Sequence, residues 1–143
     1  MLTQVQTDAA VIEALNGLVQ AYDARDMERM MSYVAPDDDL FLFGTGIDEK
    51  RLGADEFRRQ AERDWAQTDA LAFDFTWHRA SSAGPVAWLA AEGTGRGSAG
   101  GEGFEFPIRL TAVLVNEDGR WLIRQSHFSV PSASQEEGDS VPV

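Results

Sequence analysis

The chain has 143 residues, 43% of them hydrophobic, no cysteine, and 24 acidic against 12 basic residues for a formal net charge of −12. That is the length and apolar content of one domain with its own core. The charge repels phosphate backbones, so no nucleic-acid partner is expected, and the absence of cysteine excludes disulfides, thiolate metal sites and thiol nucleophiles.

The N-terminal region carries Asp8 and Glu13 and no basic segment of the kind that opens a signal peptide, and no apolar run is long enough to span a bilayer. The expectation is a cytoplasmic protein without a membrane partner. Val11, Ile12, Leu15, Leu18, Val19 and Tyr22 recur at helical spacing, which predicts a first helix capped by Thr7 with Asp8 in its first turn. A short second helix starts after Asp26, carries Met27, Met30, Met31 and Val34, and is stopped by Pro36. Asp37-Asp38-Asp39 reads as a solvated turn, and Leu40 to Phe43 as a short strand ending at Gly44 and Gly46.

Gly53 precedes a third helix with an acidic first turn (Asp55, Glu56) and a stripe of Phe57, Ala61 and Trp65. From Leu71 the period changes to two: Leu71, Phe73, Phe75 and Trp77 face one way, Asp74, Thr76 and His78 the other. After a Gly84-Pro85 turn, the strand from Val86 to Glu92 places Trp88, Ala90 and Glu92 on one face. Gly93 to Gly103 contains six glycines and reads as a flexible hairpin loop. Its G-x-G-x-x-G match at Gly95 to Gly100 is followed by a strand, not the helix that dinucleotide binding requires. Phe104 to Val115 and Arg120 to Phe128 are the last two strands. Residues 1–131 form the single predicted domain, and 132–143 a disordered acidic tail.

Helices followed by four antiparallel strands predict an α+β fold: a cone-shaped, curved antiparallel sheet with helices packed on its concave face. Three segments, AYDARDMERMMSYVAPD, VAWLAAEG and RLTAVLVNEDGRWLIRQSHFSVP, resemble the nuclear transport factor 2-like superfamily, in particular its SnoaL-like domains. The resemblance spans about Asp8 to Pro131 and implies a cone-shaped cavity and a homodimer formed through the sheet. It does not name one activity, since the superfamily hosts isomerases, cyclases, dehydratases, ligand binders and assembly modules. The ketosteroid isomerase pattern is absent: its Tyr position falls near Leu18, and its Asp position falls in Leu40 to Phe43, which holds no acid. The SHFSVP ending is also similar to the association domains of calmodulin-dependent kinases.

The candidate site comes from strand register. Asn116-Glu117-Asp118-Gly119 suits a three-residue hairpin loop pairing Asn116 with Arg120. Counting outward puts Val113 opposite Ile123, Thr111 opposite Gln125 and Arg109 opposite His127. The face holding these residues is assigned to the cavity, because pockets combine apolar walls with a few convergent polar groups. His127 is then the candidate acid/base, Glu92 its orienting group, and Arg109, Thr111, Gln125, Trp88, Trp65, Tyr22 and Trp121 candidate ligand contacts. The ligand would be a small apolar or carboxylate-bearing molecule, handled without a cofactor. His78 and His127 lie too far apart in the chain to suggest a metal site. A small-molecule-binding protein, either a plain binder or a cofactor-free isomerase, cyclase or dehydratase, stands against an assembly domain in which the same residues form an internal polar network.

Overall fold

The computed structural model describes residues 2–143. Helix α1 (Gln4–Asp23) begins one turn before the expected cap: Thr3, not Thr7, caps it, with the Gln6 side-chain oxygen accepting in return from the Thr3 backbone N–H. Helix α2 (Met27–Met31) is capped by Asp26, as its sequence suggests. It stops well before Pro36 because residues 33–35 are drawn onto the sheet. The Ala35 N–H donates to Ile123 O at 2.8 Å, and the Ile123 N–H to Tyr33 O at 2.8 Å.

Strands β1 (Phe41–Phe43) and β2 (Lys50–Leu52) form a short hairpin, followed by α3 (Gly53–Ala66). Four long strands then run antiparallel in succession: β3 (Ala70–Ala83), β4 (Val86–Ala99), β5 (Glu102–Glu117) and β6 (Arg120–Ser129). The complete sheet has the order β2-β1-β6-β5-β4-β3, with β1 parallel to β6. The architecture is α+β as expected, but the sheet is mixed because the β1–β2 hairpin extends it past β6. Residues 132–143 hold turns and no helix or strand.

The glycine run is strand rather than loop. β4 continues to Ala99, and only Gly100 (φ 59°) and Gly101 (φ 82°) make the turn. Two aromatic rings explain why glycine is needed inside the strand. A Cβ on Gly95 would lie 2.5 Å from Phe106 Cζ, and one on Gly97 2.7 Å from Phe104 Cζ. The phenyl rings of β5 therefore lie flat across the bare backbone of β4.

The core sits between α1 and the concave face. Val11, Leu15 and Leu18 of α1 pack towards Leu89, Leu110, Leu114 and Ile123 of the sheet, joined by Met30 and Leu40. α3 is tied to the end of α1 by Arg25, whose guanidinium donates to Trp65 O at 2.7 Å and Thr68 O at 3.0 Å, carbonyls at the C-terminal end of α3. Among the described residues, no helix is long and apolar enough to cross a membrane.

Candidate functional site

The helices do not fill the cone. Between α1, α3 and the far ends of β3, β5 and β6 lies a cavity of about 180 Å³, walled by Phe57, Phe73, Phe75, Phe106 and Phe128. Sequence places the strand rings Phe73, Phe75, Phe106 and Phe128 here because alternate residues of a strand share a face, and Phe57 reaches the cavity from α3. Phe73 and Phe75 stack at 6.1 Å on β3, and Phe73 meets Phe106 edge-on at 6.2 Å and Phe128 at 6.4 Å.

One wall is polar. Tyr22, on the last turn of α1, donates its hydroxyl to Asp64 Oδ2 at 2.6 Å. Gln60 and Asp64, one turn apart on α3, are joined by a 2.7 Å bond from Gln60 Nε2 to Asp64 Oδ1. The same Nε2 donates to Glu49 Oε1 at 2.8 Å, and Gln60 Oε1 accepts from Arg51 Nε at 2.8 Å. Glu49 also accepts from the Gly46 N–H, which fixes the turn between β1 and β2. Tyr22, Glu49, Gln60 and Asp64 all line the cavity. Burial, reinforced by the neighbouring Asp64 carboxylate, pushes the Tyr22 hydroxyl above its ordinary pKa, so it is a committed proton donor to Asp64.

Asp23 follows Tyr22 and turns to the open edge of the sheet, accepting the Phe73 N–H at 3.3 Å. Burial lifts its pKa from 3.8 to about 6, partly offset by that hydrogen bond. The folded chain thus holds this proton more tightly than the unfolded chain. The stabilisation is complete below about pH 4 and disappears as the pH rises through about 6. Asp23→Asn keeps an acceptor for Phe73 and has no charge to bury. Its stability relative to wild type, measured by urea denaturation between about pH 4 and 7, is expected to rise with pH. A constant difference across that range would contradict the assignment.

The register expected for the last hairpin is corrected at two points. The turn has two residues, not three: Asp118 (φ 54°) and Gly119 (φ 88°) are both left-handed, and Glu117 faces Arg120. A bulge then intervenes, with Leu114 opposite Ile123 but Val113 opposite Gln125, leaving Arg124 as the extra residue. The Arg124 guanidinium fits this position because Glu117 accepts from it at 2.7 Å and Asp37 at 3.3 Å. Consequently Thr111 pairs with His127, and Arg109 with Ser129 rather than His127.

The face assignment is also reversed. Arg109, Thr111, Gln125 and His127 share a face, but it is the outer one, away from the helices. The buried face carries Ile108, Leu110, Ala112 and Leu114, the more uniformly apolar set. Trp88 and Glu92 lie on the outer face of β4, with Glu92 directly opposite Arg109. A bulge between Phe75 and Trp77 turns Trp77 outward as well, so it leaves the Phe73–Phe75 face on which strict alternation put it. Trp88, Thr111 and Gln125 line a shallow outer groove with Trp77, while the His127 ring packs 5.3 Å from Phe43. Of the other expected contacts, Tyr22 lines the inner cavity and Trp65 packs against it at 5.6 Å. Trp121 is in the core.

Glu49, Gln60 and Asp64 escaped the sequence reading. The available signal was Gln60 and Asp64 at i, i+4, flanking the apolar stripe of α3, with a tyrosine on another helix that needs a partner for its hydroxyl once buried.

A cone-shaped mixed sheet closed by three helices is the nuclear transport factor 2-like architecture. Residues 11–133 match the family model described as SnoaL-like domain, and the chain belongs to that family. Among solved structures it is similar to a nuclear transport factor 2-like protein of unknown function from Pseudomonas putida KT2440, with TM-score 0.77, 18% identity, and coverage of 98% of this chain and 96% of that one. A type 2 hexachlorocyclohexane dehydrochlorinase matches with TM-score 0.76 and 16% identity, over 86% of this chain and 84% of that one. A candidate scytalone dehydratase from Novosphingobium aromaticivorans DSM 12444 matches with TM-score 0.76 and 10% identity, over 85% and 82%. At these identities the likeness is one of fold. No match was found among curated proteins.

Proposed function

We propose that this SnoaL-like protein binds a small, largely apolar molecule in the inner cavity, held against the Tyr22–Asp64–Gln60–Glu49 wall. The observation that carries this reading is a 2.6 Å Tyr22–Asp64 hydrogen bond facing five phenylalanine rings. An apolar cleft with a few converging polar groups is the usual form of a small-molecule site. The outer cluster around Arg109, Glu92 and His127 cannot serve that site, because the thickness of the sheet separates them.

A catalytic reading is favoured by Asp64 itself. It lines the cavity, and its hydrogen bonds are to a phenol and an amide rather than to a cation. Such a carboxylate can accept a proton from a bound substrate, the step shared by cofactor-free isomerisation, cyclisation and dehydration. The outer face fits a second copy of the chain: Trp77 and Trp88 are each 48% exposed there, alongside Phe41 and Phe43.

Native mass spectrometry of the freshly purified protein, with 3-phenylpropanol added as a probe, tests the reading. A small-molecule adduct is expected that survives Arg109→Ala and is lost in Ala61→Leu, which extends a buried α3 side chain into the cavity. Survival in Ala61→Leu with loss in Arg109→Ala would move the site to the outer face.

A further inference from the structure

Every donor in the polar wall is already committed within it. The Tyr22 hydroxyl proton goes to Asp64, and the Gln60 amide group donates to both Asp64 and Glu49. What remains facing the cavity is acceptor capacity. Each Asp64 oxygen has one of its two lone pairs in use, and the Tyr22 oxygen has donated its hydrogen but kept its lone pairs. Thr45, exposed at the rim, is the one hydroxyl that can still donate.

Charge points the same way. Two carboxylates line the cavity and, among the described residues, no lysine, arginine or histidine does. Arg51 and Arg63 lie behind the wall, engaged with Gln60 and with Asp48 and Glu49. Glu49 therefore has a nearby guanidinium at 3.8 Å, whereas Asp64 forms no ion pair among the described residues. The rest of the lining is largely apolar and includes five phenylalanine rings, whose faces carry negative potential.

We infer that the ligand class of this cavity is an apolar amine, whose ammonium hydrogens are received by Asp64 and the Tyr22 oxygen while its hydrocarbon part lies among the phenylalanine rings. This rests on the inner cavity being the binding site. A buried ammonium is tolerated only where it is paired and hydrogen-bonded, and Asp64 supplies the unpaired carboxylate while the rings supply the cation–π contact. A carboxylate ligand would meet Asp64 and Glu49 with only the Thr45 hydroxyl at the rim to receive it. A neutral alcohol satisfies one acceptor and leaves the charge unanswered.

Isothermal titration calorimetry of the full chain at neutral pH with 3-phenylpropylamine, 3-phenylpropanol and 3-phenylpropionate tests this. The amine is expected to bind at least about tenfold more tightly than the alcohol, and the propionate not to bind. In Asp64→Asn the preference of amine over alcohol should collapse to about twofold or less, while Glu92→Gln on the outer face should leave it intact. The Glu92 variant separates a local pairing from a general effect of the net charge. Circular dichroism confirms that Asp64→Asn is folded. If it is not, Glu49→Gln takes its place and should reduce the preference in part. Alcohol or propionate binding as tightly as the amine overturns the inference and leaves the cavity reading standing. Binding of none of the three overturns both.

Discussion

Gly93→Ala is expected to destabilise the protein by about 2–4 kcal/mol, more than an added methyl usually costs. A Cβ at Gly93 would overlap the backbone carbonyl of Asp74 on the neighbouring strand. The partner is main chain, so no side-chain rotation relieves the clash. Gly93 faces Phe75 at the point where the bulge before Trp77 begins, and β3 and β4 approach closely there. Separating them breaks ladder hydrogen bonds and moves Phe73 and Phe75, two walls of the cavity. At Gly84, by contrast, nothing lies within 4 Å of a Cβ, and only its φ of 58° opposes alanine. Gly84→Ala is thus the milder change, with a cost of about 1–2 kcal/mol. Equal losses for the two variants in urea denaturation would contradict the close strand approach.

Leu114→Ala is expected to cost about 2–5 kcal/mol, because Leu114 is 0% exposed within the core beneath α1. Its neighbour Val113 points to the outer groove, and Val113→Ala should cost about 1 kcal/mol or less. The pair reports which face of β5 the helices cover. The alternation that puts Val113, Thr111 and Arg109 on the inner face predicts the reverse order. Thermal denaturation distinguishes them easily, since 1 kcal/mol shifts Tm by roughly 2–4 °C in a domain of this size.

The elements were legible in the sequence because their signals are local. α1 announces itself by apolar spacing, α2 by the Asp26 cap, and the long strands by alternation and by turns at Gly84-Pro85 and within Asn116 to Gly119, though not the length of the latter. What alternation does not carry is the position of a bulge. One extra residue at Arg124 and one near Thr76 displace every later pairing while leaving the hydrophobic pattern almost unchanged. Arg124 becomes intelligible only with Asp37 and Glu117 beside it, and these are distant in the chain or across a turn. The glycine run misled for a related reason: glycines that admit the rings of Phe104 and Phe106 look, in sequence, like glycines that loosen a loop.

The site was harder to read than the fold. Arg109, Gln125 and His127 are conspicuous polar residues in a strand, yet an outer sheet face accommodates them at no cost. Asp64 sits on a helix among exposed charges, and only its distance from Tyr22 marks it as different. The proposed site therefore depends on a contact between α1 and α3 that no spacing in either helix encodes.

The most direct measurement is an amide-resolved NMR titration of the full chain with 3-phenylpropylamine. A ligand in the inner cavity will shift the amides of Leu71 to Phe75, Phe106, Ile108 and Asp64, and leave Trp88, Thr111 and Gln125 in place. Shifts confined to Trp88, Thr111, Gln125 and His127 would contradict the account, by placing the binding surface on the outer face of the sheet.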